Sequence, residues 1–398
     1  MLLKPNKDSE INFFNIKKFL PSFQREKYRE TLKNADLISH HDLDKHFYPW
    51  VISRIPLFSK RSKRFPPLSF AGKYTLLELA TKKSVVYECG LSLLSRKLGA
   101  VPIDLNSKLH APKNTSIDLF IINKTLPIDI FIEIVTYKIN WGGRVVISNF
   151  SPLIHSDLLE IASIHGYKIV KYCSIDIGRE SFSTICVLER IEHTYTINDI
   201  ESELSNYLNF NNGFYIEAGA NDGVNQSNTL NLSIKRGWRG IMIEPIPALH
   251  KKCLLNRPYD ISECAALVEP SKTGTNVKLS YANLMTTTKD AFNNPKDFED
   301  HIKVGCEIQG NISSFEFEAP GLTIDEIVIR HKIDCIDFLS LDVEGYEAQA
   351  LQGINFSSIK PKFILVEARF PEEVFKVLNP HYTLIKKISF HDYLFKSK

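Results

Sequence analysis

The sequence lacks any paired-cysteine pattern, its seven cysteines standing singly at 89, 173, 186, 253, 264, 306 and 335. That scatter makes neither a disulfide framework nor a metal knuckle, and it suits reduced thiols in a cytoplasm. No apolar run approaches the roughly 18 to 20 residues that a membrane helix requires. Lys4, Lys7, Asp8 and Glu10 precede any apolar stretch, so the start does not read as a secretory signal. A large charge of one sign is also missing, since 49 Lys+Arg face 46 Asp+Glu for a net +3. With 43% hydrophobic and 24% charged residues, wholesale disorder, collagen-like repeats and coiled coil are excluded. The length of 398 residues favours two domains, each able to bury its own core.

The small net charge hides a local asymmetry. Residues 1–84 hold 17 Lys+Arg against 8 Asp+Glu, which leaves the remainder acidic. They read as a basic helical and irregular leader in which Ser59-Lys60-Arg61-Ser62-Lys63-Arg64 precedes Phe65-Pro66-Pro67. Such a run is a solvated face or a patch for phosphorylated acceptors and anionic head groups. From 85 to 192, short β-branched runs alternate with helical stretches, the pattern of a parallel sheet covered by helices. Residues 193–212 read as a linker and helix. Within 213–398 the pattern returns, with strands expected at Phe214–Glu217, Gly240–Ile243, Glu263–Leu267, Phe338–Asp342 and Phe363–Glu367.

Three segments of this second half carry chemistry. In Phe214-Tyr215-Ile216-Glu217-Ala218-Gly219-Ala220-Asn221-Asp222-Gly223 an apolar strand enters a tight loop. Small residues there leave room for a ligand's anionic group at the amides opening the next helix. Next, Gly240-Ile241-Met242-Ile243 ends in Glu244-Pro245, an acid at the interval where a carboxylate receives both ribose hydroxyls of a nucleoside cofactor. Last, Ile336 to Leu341 leads to Asp342-Val343-Glu344-Gly345. Strand alternation would point Asp342 and Glu344 to one face at the carboxyl edge of the sheet, where open α/β folds hold ligands.

These segments, with Gln226-Ser227-Asn228-Thr229, Gly237-Trp238-Arg239-Gly240, Tyr346-Glu347 and Leu351 followed by Gly353, resemble the FkbM-type S-adenosylmethionine-dependent methyltransferases over about residues 212–370. Ser233 departs from the pattern, standing where related sequences often have glutamate. The resemblance implies a class I methyltransferase fold. Glu217 and the loop Gly219, Ala220, Asn221, Asp222 and Gly223 would embrace the methionine end of S-adenosylmethionine, and Glu244 with Pro245 the ribose. Ala265 would lie near the adenine, and Asp342 would face the methyl group. A hydroxyl acceptor must lose its proton, so Asp342 or Glu344 could act as base. Alternatively the pair could hold a divalent cation such as Mg²⁺; the base without a metal is the reading adopted. The resemblance points to a sugar or glycan acceptor, on a surface polysaccharide, its lipid-diphosphate-linked precursor or a glycosylated metabolite.

The first half parallels the second at Glu88-Cys89-Gly90, but Leu94 stands where the second has Gly223. Its segment 117–123 ends in Asn123, which cannot serve as a base, and Trp141-Gly142-Gly143-Arg144 resembles the turn before the fifth strand of class I methyltransferases. The expected architecture is therefore α/β, with two Rossmann-type, class I methyltransferase-like domains in tandem. Each has a mostly parallel seven-stranded sheet flanked by helices, and the first is degenerate. Residues 54–83, with eight basic residues against Glu78, offer peripheral contact to the inner membrane surface of a cytoplasmic protein. No nucleic-acid partner is expected, because Asn379-Pro380-His381-Tyr382 resembles a base-binding Asn-Pro-Pro-Tyr loop only in part. Tyr281 to Lys289 reads as a surface loop or an acceptor lid. Rival classes are a glycan-binding or partner-binding tandem without catalysis and an RNA or protein methyltransferase.

Overall fold

The computed structural model describes residues 86–89, 101–102, 117–122, 126–148, 155–178 and 181–398, and the basic leader 1–84, Leu94 and Asn123 lie outside them. The chain divides into two compact units, Met1–His193 and Thr194–Lys398.

In the first unit the described strands are β1 Val86–Cys89, β2 Val101–Pro102, β3 Ile117–Ile122, β4 Ile139–Ser148, β5 Tyr167–Gly178 and β6 Ser181–Arg190. They form one sheet of order β2-β1-β3-β4-β6-β5, parallel from β2 to β4, with β6 antiparallel to both neighbours. Helix α1, Ile128–Glu133, continues through a π-helical turn to Lys138, and α2 spans Ser156–Ile164. Six strands are described here, one fewer than the seven expected.

The second unit opens with α3, Ile200–Ser205, and is organised on seven strands: β7 Phe214–Ala218, β8 Arg239–Ile243, β9 Ile261–Glu263, β13 Phe338–Leu341, β14 Phe363–Glu367, β15 Tyr382–Lys387 and β16 Asp392–Ser397. Their order is β15-β16-β14-β13-β7-β8-β9. All neighbours are parallel except β16, which is antiparallel to β14 and β15. The central strands are continuous apolar runs because helices cover both faces of a parallel sheet, so inward and outward side chains are equally buried. Ile216, Ile241, Leu339 and Ile364 pack into one core layer; Tyr215, Trp238, Phe338 and Leu365 pack into the other. Trp238 is fully buried and donates its indole N–H to the Phe210 carbonyl at 2.8 Å, closing the lower layer.

Further helices are α4 Leu230–Arg236, α5 Pro247–Asn256, α6 Pro295–Ile308, α7 Ile324–His331, α8 Glu347–Gln352 and α9 Pro371–Leu378. Their starts follow local chemistry. Asn294 caps α6 through its side chain ahead of Pro295, and Thr323 with Glu326 forms a reciprocal capping box on α7.

The run expected as one strand, Glu263 to Leu267, is two. β9 ends the large sheet at Glu263, and β10, Ala266–Leu267, joins a separate sheet β10-β12-β11 with β11 Asn276–Ser280 and β12 Glu316–Leu322. A continuous apolar stretch records burial but not a change of partner. No described helix is long and apolar enough to cross a membrane.

Candidate functional site

The site is built at the carboxyl ends of β7, β8 and β13. β7 delivers the chain to Gly219 at φ +79°. A Cβ there would stand 1.9 Å from the Asp342 carbonyl oxygen, so glycine alone lets the ends of β7 and β13 close on each other. The loop does not open a helix at Gly223 as the sequence suggested, because turns intervene before α4 begins at Leu230. Asp222 and Gly223 consequently stand behind the pocket wall. The Asp222 carboxylate accepts from the amides of Val224 (3.0 Å) and Asn225 (2.8 Å) and so shapes the turn. Gly223 is required by its φ of +79° and by Arg257, whose Cγ would meet a Cβ there at 2.9 Å. Room for the cofactor is not what selects it.

Strand alternation puts Tyr215 and Glu217 on one face of β7, and the fully buried Arg257 reaches both. Its guanidinium donates to the Gly223 carbonyl (2.9 Å), Ser227 Oγ (3.2 Å), Thr229 Oγ1 (3.2 Å), Asp260 Oδ2 (2.9 Å) and the Tyr215 hydroxyl. Glu217, 3.8 Å from that guanidinium, accepts from Ser227 Oγ (2.9 Å), the Asn228 amide (2.7 Å) and Thr229 Oγ1 (2.5 Å). Burial pushes the Glu217 carboxyl up, while Arg257 and these donors pull it down. Glu217 lines the pocket, but its lone pairs are largely committed to the chain's own donors, so it acts as the rivet of the loop. Arg257 has no motif around it, and a single arginine at a helix end reads as solvated.

Glu244 follows β8 and is buried at 4% exposure. One carboxylate oxygen accepts from the Asn221 amide and the other from the Ile246 amide, both at 2.8 Å. Each oxygen keeps lone-pair capacity toward the pocket, the donor-accepting pair that two vicinal hydroxyls need. Burial raises its pKa to about 7. Gly219, Ala220, Asn221, Pro245 and Ala265 line the same cleft, which has about 1200 Å³ of empty space counted to its open mouth.

Across the cleft lie Asp342 and Glu344. β13 ends at Leu341 and Glu344 has φ +56°, so the two do not share a face by strand alternation; a turn brings both to the pocket. Glu367, at the end of β14, joins them, a residue that sequence pattern did not single out. Burial, and then the charge of Glu367, drives both Asp342 and Glu344 upward, Glu344 to about 8. Glu347 supports the turn by accepting from the Gly345 amide at 2.8 Å. From the segment 281–289, Asn283, Leu284, Thr286, Thr287 and Thr288 line the cleft beside these acids. Thr287 Oγ1 donates to the Glu344 carbonyl at 2.8 Å. The charged lining among the described residues is five carboxylates, Glu217, Glu244, Asp342, Glu344 and Glu367, without Lys, Arg or His. Asn379-Pro380-His381-Tyr382 makes the turn between α9 and β15, off the pocket. Among the described residues, no group of three or more His, Cys, Asp or Glu is arranged to hold a metal ion.

The profile of the Methyltransferase FkbM domain matches residues 217–395, so the C-terminal half carries the domain that its motifs resemble. By class, the C-terminal half is an S-adenosylmethionine-dependent methyltransferase domain. No curated protein matches the chain. Similar solved structures include a TehB-like SAM-dependent methyltransferase from Corynebacterium glutamicum, 11% identical, covering 50% of this chain and 88% of that one with a TM-score of 0.27. Another is the fibrillarin pre-rRNA processing protein of Methanococcus jannaschii, 13% identical over 57% of this chain and 82% of that one, TM-score 0.27. A third is phosphoethanolamine N-methyltransferase 1 of Haemonchus contortus in complex with phosphoethanolamine and S-adenosylhomocysteine, 9% identical over 91% of this chain and 99% of that one, TM-score 0.27.

Proposed function

We propose that the C-terminal unit methylates a sugar hydroxyl, with the cofactor lying along β7 and β8 and the acceptor between residues 283–288 and the acids after β13. The carrying observation is the character of the cleft, whose charged-type lining is five carboxyl groups and no basic side chain. Burial holds part of that lining protonated, and a wall of negative or neutral acids without a cation suits a sulfonium and an uncharged acceptor and disfavours a phosphate inside the cleft. S-adenosylmethionine supplies, when bound, a methyl group activated by that sulfonium. The residues present suit it: Glu244 offers both oxygens to the ribose, Ala265 leaves room for a flat base, and Gly219 allows close approach of the backbone.

The chain's own contribution is position and proton removal. Asn283, Thr286, Thr287 and Thr288 supply side-chain donors and acceptors of the kind that orient a polyol. Asp342 takes the hydroxyl proton as the oxygen attacks the methyl carbon. Its raised pKa, set by burial and by Glu367 and Glu344, brings it closer to the working range of a general base. A diphosphate carrier would stay outside the mouth of the cleft, and the basic residues 54–83 are the segment we assign to peripheral contact with the cytoplasmic membrane surface. The N-terminal unit fits a degenerate copy, since its order β2-β1-β3-β4-β6-β5 runs parallel to β8-β7-β13-β14-β16-β15.

The test is transfer of labelled methyl from S-adenosylmethionine to free and lipid-linked oligosaccharides, with S-adenosylhomocysteine calorimetry alongside. The Asp342→Asn variant should bind S-adenosylhomocysteine within about threefold of wild type and lose ~10²- to 10⁴-fold in turnover. Turnover surviving in that variant would remove Asp342 as base, and labelling of RNA or protein instead of sugar would replace the acceptor.

A further inference from the structure

His301 is absent from every motif in the sequence, yet it sits at the junction of three elements that close the acceptor side of the cleft. It lies in α6 and is 3% exposed. Its Nε2 is 3.0 Å from the Met285 carbonyl and its Nδ1 is 2.8 Å from an Arg369 guanidinium nitrogen. Arg369 follows β14 two residues after Glu367, and Glu344 Oε2 lies 3.6 Å from the same Nε2. The partners fix the tautomer. A guanidinium can only donate, so Nδ1 must be the bare lone pair and Nε2 must carry the hydrogen given to Met285. Burial and the charge of Arg369 both hold the imidazole neutral, with its pKa lowered to about 4.

The segment it grips has two sides. Asn283, Leu284, Thr286, Thr287 and Thr288 face the cleft, whereas Ala282 and Met285 lie against α6 at Gly305. A Cβ on Gly305 would stand 2.9 Å from Met285 Cβ and 3.0 Å from Ala282 Cβ, so helix and segment are in closest contact there. Asn283 Nδ2 adds a bond to Gln309 Oε1 at 3.0 Å. The bond to the Met285 carbonyl thus joins the packing at Gly305 and the Asn283–Gln309 bond in fixing the threonine face over the cleft. The same ring, through Arg369, ties that face to the strand end that carries Glu367.

We infer that His301, as the neutral imidazole with hydrogen on Nε2, is the positioning residue that latches residues 283–288 onto α6 and sets the acceptor side of the cleft apart from the cofactor side. The acceptor assignment rests on the function proposed above; the latch itself does not. It is tested without any acceptor, by hydrogen exchange of peptide 281–289 and by imidazole NMR of the full chain. In wild type the ring is neutral at pH 6 with its proton on Nε2. In His301→Phe the Met285, Thr286 and Thr287 amides exchange at least tenfold faster, and His301→Gln, which offers one donor and one acceptor, recovers most of the protection. Arg369→Met leaves the Met285 bond in place but moves the His301 titration upward, a readout unaffected if His301→Phe fails to fold. Unchanged exchange in a folded His301→Phe, a ring protonated at pH 6, or an unmoved titration in Arg369→Met would each overturn the latch. S-adenosylhomocysteine binding that is lost in wild type would instead sink the cofactor reading and leave the latch standing.

Discussion

Replacing Gly219 by alanine tests the most exacting contact of the site. The added methyl would lie 1.9 Å from the Asp342 carbonyl oxygen, at a residue with φ +79°. Two costs follow. Holding an L side chain in the left-handed region costs ~1–2 kcal/mol, and relieving overpacking against a buried strand end costs a further ~1–3 kcal/mol. Since real Cβ contacts essentially never fall below 3.0 Å, the Asp342 carbonyl must move by about 1 Å. A misplacement of that size is worth ~10²-fold in rate. Chemical denaturation should therefore show a loss of about 2–5 kcal/mol. Methyl transfer by the surviving folded fraction should fall on the order of a hundredfold. Stability and turnover both within twofold of wild type would refute the close approach and, with it, the claim that Gly219 sets the position of Asp342.

Three further outcomes are expected. Because the Glu244 pKa is raised to about 7 and ribose hydroxyls prefer the anion, S-adenosylhomocysteine binding at pH 7 should release up to ~0.5 proton, read by calorimetry in buffers of different ionisation heat. The Glu244→Ala variant should bind weakly and release none; equal release in both would place the ribose elsewhere. Arg257→Met leaves Glu217 buried without its cation and should cost ~3–5 kcal/mol in denaturant, and a loss below 1 kcal/mol would show that the donors alone suffice. Glu244, Glu344 and Glu347 have folded pKa values of about 7, 8 and 7 against 4.5, so the native state binds more protons between pH 4.5 and 8. Their contribution to stability is greatest at the acid end of that window and declines as pH rises. His301, lowered to about 4 from 6.5, opposes this only up to pH 6.5. A midpoint that rises steadily from pH 6.5 to 8 would contradict the burial of these carboxylates.

What the sequence discloses is what lies close along the chain. The β7 loop, Glu244 and the end of β13 each combine an apolar strand with its loop in one short segment, and the interval from glycine to acid is itself a structural ruler. Glu367, Arg369 and His301 are different, since they are single polar residues on elements that become neighbours only once β14 lies beside β13 and α6 returns over the cleft. Gly223 shows a subtler failure: the sequence pattern offers it as room for the cofactor, whereas it stands off the pocket and its constraint, Arg257, lies 34 residues downstream. The reading of Asp342 and Glu344 on one face assumed a strand that continues past Leu341, where the chain turns instead. The hairpin β15–β16 escaped because lysines along Tyr382–Lys387 give a charged edge strand, which suppresses unwanted pairing and blurs apolar alternation.

The lining also makes the cleft sensitive to protons. Its charged-type side chains are all carboxyl groups, and burial raises them, Glu244 to about 7 and Glu344 to about 8, so a fall of one pH unit near neutrality removes negative charge from the wall without moving an atom. A cationic ligand would feel that change and a neutral one of the same shape would not. The wall is thus a device whose discrimination between the two is set by pH.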